Sequence, residues 1–130
     1  MKKLILPAIL IVLMALAGCG KGGPVTSPGG GGGANEVDMA SVTFVQSSIT
    51  VKAGTAIKFN DPTATGALHI LCFGHDQICK ANAQGPTDLN ASAGVTFNPG
   101  DSKSYTFTNA GSYEVTCTVH PNMNVTITVQ

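Results

Sequence analysis

Four side chains able to grip a soft metal ion stand out in a chain with few other reactive groups. Three of them lie in the stretch CTVHPNM, where Cys117, His120 and Met123 supply a thiol, an imidazole and a thioether. Cys117 closes a run that alternates like a β-strand and Met123 precedes another. A tight turn between the two can therefore aim all three donors at one point. The fourth donor has to come from elsewhere, and His69, at the head of HILCF on a different predicted strand, is placed to give it. A thiolate, two imidazoles and a thioether are the donor set of a trigonal His₂Cys copper site with a long axial methionine. The set is soft enough for Cu(I) and holds imidazole that suits Cu(II), so neither oxidation state demands a large rearrangement. His75 is left out of this set: it lies in an irregular stretch, its spacing does not converge on the other donors, and it reads as solvent-exposed.

Such donors need a rigid frame, and 130 residues suffice for one domain with a real core. The frame does not begin at residue 1. Lys2 and Lys3 form a basic head, Leu4 to Leu16 an apolar run, and Leu16 to Cys19 a close of small residues ending in cysteine, together the pattern of a secretory signal over residues 1–18. The apolar run is shorter than the roughly 20 residues of a membrane-spanning helix, so a permanent span is the weaker reading. LAGC resembles the lipobox of bacterial lipoproteins, which implies cleavage before Cys19 and lipidation of its sulfur. The protein is then exported and lipid-anchored to the outer face of a bacterial membrane, on the periplasmic or extracellular side. Residues 19–36, rich in glycine, proline and serine, read as a flexible linker, and residues 37–130 as the folded domain. Beyond residue 18 five lysines face seven carboxylates, a net charge of −2, and the chain has no arginine. So little positive charge argues against nucleic acid, whose phosphates are met by Lys and Arg.

After Glu36 the texture is short runs of Val, Ile, Thr, Phe and Tyr broken about every eight to twelve residues by Gly, Pro, Asn and Asp, the signature of an antiparallel sandwich or barrel. Strands are predicted at Ser41–Gln46, Ile49–Val51, Ala56–Asn60, Ala67–Phe73, Val95–Asn98, Lys103–Thr108, Ser112–Thr118 and Asn124–Val129. Period-two alternation puts Tyr113, Val115 and Cys117 on one face, so Cys117 points inward. The stretch from Gly74 to Ala93 shows no period, and so long a loop in a compact domain is usually functional or stapled. Cys72 and Cys79 bracket its start. In an exported protein two such cysteines most often pair, with a metal-ligand role for one of them as the competing reading.

In this setting the residues resemble the cupredoxins, the small blue copper proteins that include plastocyanin and amicyanin. The Cys-x₂-His-x₂-Met spacing of CTVHPNM is similar to that of the amicyanin loop. ITVKAGTAIKFND is similar to the family's second and third strands, and FNPGDSKSYTFTNAGSYEVTCTVHP to the strands leading into the ligand loop. The resemblance spans Ser41 to Gln130. It implies an all-β, Greek-key β-sandwich of about eight strands holding one mononuclear type I copper ion, with His69, Cys117 and His120 as equatorial ligands and Met123 as the axial one.

Two positions depart from the family. Where cupredoxins commonly carry Asn after the first ligand histidine, tying that strand to the residue after the ligand cysteine, this chain has Ile70; the restraint on Thr118 must come from elsewhere, with Thr116 or Thr118 itself as candidates. Where plastocyanin and amicyanin have proline, this chain has Val119, which restores a backbone N–H able to reach the Cys117 sulfur. A hydrogen bond to the thiolate reduces its electron donation and favours Cu(I), so a higher reduction potential is expected than in a Val119→Pro variant.

The function this implies is a one-electron carrier cycling between Cu(I) and Cu(II), a monomer and not an enzyme. Its partners would be membrane-associated or extracytoplasmic redox proteins, such as cytochromes or membrane respiratory or photosynthetic complexes. His120 in the loop tip would be the electron port, with Pro121 in an apolar docking patch around it. An exported protein for copper buffering or delivery could use the same four ligands. A metal-free immunoglobulin-like adhesion domain would leave them a coincidence. Three histidines are too few for a multicopper oxidase, and the single cysteine of CTVHPNM does not serve a dinuclear centre of the cytochrome oxidase type.

Overall fold

The computed structural model describes residues 33–130; the signal segment expected over residues 1–18, the lipidation site expected at Cys19 and most of the expected linker lie outside the described residues. The runs of β-branched and aromatic residues form nine strands: β1 (Glu36–Asp38), β2 (Ser48–Val51), β3 (Thr55–Asn60), β4 (His69–His75), β5 (Ile78–Cys79), β6 (Val95–Phe97), β7 (Ser102–Phe107), β8 (Gly111–Cys117) and β9 (Asn124–Val129). A 3-10 turn at Thr87–Asn90 precedes β6. One sheet has the order β1-β3-β7; the other runs β2-β9-β8-β4-β5, with β6 also paired to β4. Two pairings are parallel, β1 with β3 and β2 with β9, and the rest antiparallel. The result is the all-β sandwich the alternation predicts. Among the described residues no helix is long and apolar enough to cross a membrane.

The core between the sheets is built from the inward positions of each strand. Tyr113, Val115 and Cys117 of β8 and Val125, Ile127 and Val129 of β9 are all buried. Phe73, Phe107 and Tyr113 pack edge to face or tilted with centroids 5.1–6.3 Å apart, and Phe44, Phe59 and Tyr105 form a second cluster. Each such ring contributes roughly 1.5–3 kcal/mol by leaving water. What matters most for the site is register. Leu71 of β4 lies opposite Cys117 of β8, Cys72 opposite Thr116, and Thr116 in turn opposite Asn124 of β9.

The strand expected at Ser41–Gln46 does not form. The segment turns back on the end of β1: Ala40 donates to the Thr43 carbonyl, Val45 donates to that of Asp38, and only the bridge between Met39 and Phe44 is strand-like. Phe44 is buried while Val42 and Val45 stay exposed, so the segment has one core residue where alternation suggested a face. In its place β1, just before it, adds the parallel edge to β3. The strand expected at Ala67–Phe73 starts at His69 and continues to His75. The unpatterned stretch after it holds three short features: the hairpin of β4 with β5, a disulfide joining Cys72 to Cys79, and the 3-10 turn that plugs Leu89 into the core.

Candidate metal centre

Three of the four expected ligands meet at one end of the sandwich. His69 opens β4, Cys117 closes β8, and His120 stands in the loop between β8 and β9. The Cys117 sulfur is 3.8 Å from His69 Nδ1 and 3.7 Å from His120 Nδ1, and the two ring nitrogens are 3.2 Å apart. His69 and Cys117 are fully buried and His120 is partly exposed. Met123 is fully buried, and its carbonyl accepts the Cys117 N–H at 3.0 Å, which closes the loop and seats the thioether residue beside the thiol. His75 lies at the other end of β4, half-exposed, with Glu114 and Asp76 3.4–3.5 Å from its two nitrogens.

The donor spacing fits a metal ion. Taking zinc as a ruler, about 2.3 Å to a thiolate and about 2.0 Å to an imidazole, separated by about 120°, set sulfur and nitrogen about 3.7 Å apart. The thiol is free and buried, and Val119 N–H points at its sulfur from 3.4 Å. Burial holds the His69 pKa below the usual histidine range, His120 beside it adds to that, and the Ala40 carbonyl pulls the other way. The ring is therefore neutral at physiological pH and free to donate a lone pair.

The other nitrogen of His69 faces a different environment. Nε2 has no partner at hydrogen-bonding geometry, and 3.9 Å away lies Asp61 Oδ1, equally buried; neither oxygen of that carboxylate has such a partner either. Burial pushes the Asp61 carboxyl above the usual carboxylate range, opposed by the Ala67 N–H, with Asp101 pushing the same way as burial. The Asp61 backbone is fixed by its own bonds to Asp101 and Gly100, and Gly66 packs so closely that a methyl group there would overlap the carboxylate.

The restraint that Ile70 lacks as a side chain comes partly from its backbone: Thr118 N–H donates to the Ile70 carbonyl at 2.8 Å. The rest comes from the hairpin of β4 with β5. Gln77 Nε2–H donates to the Thr118 carbonyl and Gln77 N–H to Thr116 Oγ1, both at 3.0 Å, and the Thr116 hydroxyl donates on to the Met123 carbonyl. Asp76 and Asn124 exchange two further hydrogen bonds. Sequence reasoning missed both Gln77 and Asp61. The spacing of Cys72 and Cys79 around GHDQI could have pointed to a stapled hairpin beside the site, but nothing in the sequence marks Asp61 as buried.

A family model of copper-binding proteins, the plastocyanin/azurin family, matches residues 32–130. The chain belongs to this family. Copper is accordingly its cofactor, in line with the donors just described. Among solved structures, this copper-binding protein is similar to a reduced variant of amicyanin, at 27% identity and a TM-score of 0.55 over 75% of this chain and 83% of the other. It is also similar to the Cu(I) form of another amicyanin variant, at 27% identity and a TM-score of 0.54 over 77% and 85% of the two chains. Amicyanin from Paracoccus versutus, at 21% identity and a TM-score of 0.53 over 73% and 79%, shares the fold. No curated protein sequence matches the chain significantly.

Proposed function

We propose that this plastocyanin/azurin-family protein is a type I copper one-electron carrier, exported and lipid-anchored through Cys19, with His69, Cys117 and His120 as equatorial ligands and Met123 as the axial one. The observation that carries the reading is the convergence of a buried free thiol and two imidazole Nδ1 atoms within 3.8 Å of one another, with a backbone N–H on the sulfur. Copper supplies the one-electron couple between Cu(I) and Cu(II). The residues do the rest. Strands β4 and β8 fix His69 and Cys117, so the donor set keeps one shape. Burial of Cys117 and Met123 excludes water from their sulfurs. His120 alone among the four is partly open to solvent; exposed Val119 and Pro121 flank it in the chain, and exposed Leu68 precedes His69. That rim suits brief apolar contact with a redox partner, such as a cytochrome or a membrane respiratory or photosynthetic complex. It also suits a monomer that is not an enzyme. Burial of three of the four ligands between rigid strands weighs against copper delivery, which favours exposed donors. The test is to add Cu(II) to the purified full chain and record its visible spectrum. An intense blue band, lost in Cys117→Ser, is the expected outcome; a colourless protein overturns the reading.

A further inference from the structure

The peptide unit between Thr118 and Val119 is gripped from both sides. Its N–H, on Val119, points at the Cys117 sulfur from 3.4 Å, and its carbonyl, on Thr118, accepts from Gln77 Nε2–H at 3.0 Å. A peptide is planar and its N–H and C=O point in opposite directions, so fixing the oxygen aims the hydrogen. Bonds at the two ends of one amide also polarise each other.

Gln77 itself is held in a costly conformation. It and Asp76 are the two linking residues of the hairpin, with φ of 67° and 46°. Two-residue hairpin turns of this left-handed kind favour Gly at the second position, and a long side chain there is uncommon. A residue kept where glycine would fit the backbone better points to a use for its side chain. The hairpin is stapled by the Cys72–Cys79 disulfide directly beside the β8 residues it contacts, and Gln77 N–H is already spent on Thr116.

We propose that Gln77 is a positioning residue for the Cys117 sulfur, holding the Thr118–Val119 peptide so that its N–H stays on the thiolate. It never touches the metal ligands and acts through one amide. The proposal rests on the copper assignment above for its effect on potential, but the restraint itself belongs to the metal-free protein as well.

The experiment uses Gln77→Gly in the full chain purified in detergent, because glycine removes the side chain, keeps the backbone bond to Thr116 and suits the left-handed turn. Gln77→Met serves as a second variant that keeps the bulk without a donor. In the metal-free protein, amide exchange at Val119 should quicken by up to about tenfold, the factor that loss of one hydrogen bond corresponds to. In the copper-loaded protein the reduction potential should fall with both variants, while thermal stability of Gln77→Gly is unchanged or higher. In a Val119→Pro background, which has no N–H to aim, Gln77→Gly should shift the potential no further. An unchanged potential, or a full shift persisting beside Val119→Pro, overturns the proposal. If the unaltered chain gives no blue band, the copper reading fails, and exchange at Val119 still decides whether Gln77 holds the peptide.

Discussion

The two flanks of the metal centre are built by opposite means. On the side of β8 and its loop, the donors are tied by hydrogen bonds: Cys117 to Met123, Thr118 to Ile70, Gln77 to Thr116 and Thr118, and Asp76 to Asn124. On the side of β4, the fully buried His69 Nε2 and both oxygens of the fully buried Asp61 have no partner at hydrogen-bonding geometry, and that face of the site is held by close packing. The loop must be tied because its exposed tip has too little core to rest on. His69 needs no such ties, because the sandwich already encloses it. The comparison teaches that one ligand answers to volume and the others to donors and acceptors, so substitutions of equal size should act differently on the two sides.

The packed side breaks most easily. Gly66→Ala would drive a methyl group into Asp61 and to within 2.5 Å of the Pro62 carbonyl, and overpacking of this kind costs about 1–3 kcal/mol. Thermal unfolding of the metal-free protein should show it as a clear loss; a variant as stable as the parent would mean that this flank yields. On the tied side, Thr116→Val keeps the volume but removes a fully buried hydroxyl that joins Gln77 N–H to the Met123 carbonyl. A loss of about 1–2 kcal/mol in denaturant unfolding is expected, and no loss would mean that shape alone holds the loop. The smallest effect should come from Asp61→Asn. A folded-state pKa raised by burial means that the carboxyl adds stability below its unfolded value of 3.8, and that this stability is lost as pH rises through the folded value. Asparagine has no charge to bury, so the metal-free variant should match the parent in acid and exceed it near neutrality, by on the order of 1 kcal/mol or less. Unfolding curves at several pH values check this, and a difference independent of pH would sink it.

Much of this was legible in the sequence for physical reasons that also mark where legibility stops. Strands β8 and β9 bury one face against the core, so their alternation is plain. Three of the donors are neighbours in the chain, so CTVHPNM announces itself. The turn at Ala40–Val45 misled because Val42 and Phe44, with Thr43 between them, alternate like a strand face, although tight hydrogen bonds bend the backbone. The parallel strand β1 spans only 3 residues, too few to set a period by themselves, and it borders a glycine-rich tract. Gln77 was hidden for another reason: it acts on Thr118 across 41 positions of sequence, through an amide side chain that has no characteristic place in a turn. Asp61 looked like an ordinary acidic residue just after β3, since carboxylates are seldom buried without a partner.

The pairing of Leu71 with Cys117 has a consequence for how the chain becomes functional. His69 and Cys117 are 48 positions apart, and they meet only because β4 and β8 join in one register. A slip of a single residue would turn His69 to the other face of the sheet while leaving both strands hydrogen-bonded. The complete donor set is therefore displayed by correctly paired molecules alone, and metal bound to it favours that population, by about 2.7 kcal/mol when free ion exceeds its dissociation constant a hundredfold. Loading with copper would then act as a proofreading step in folding, retaining chains whose strands have found the right partners and giving no help to those one residue out.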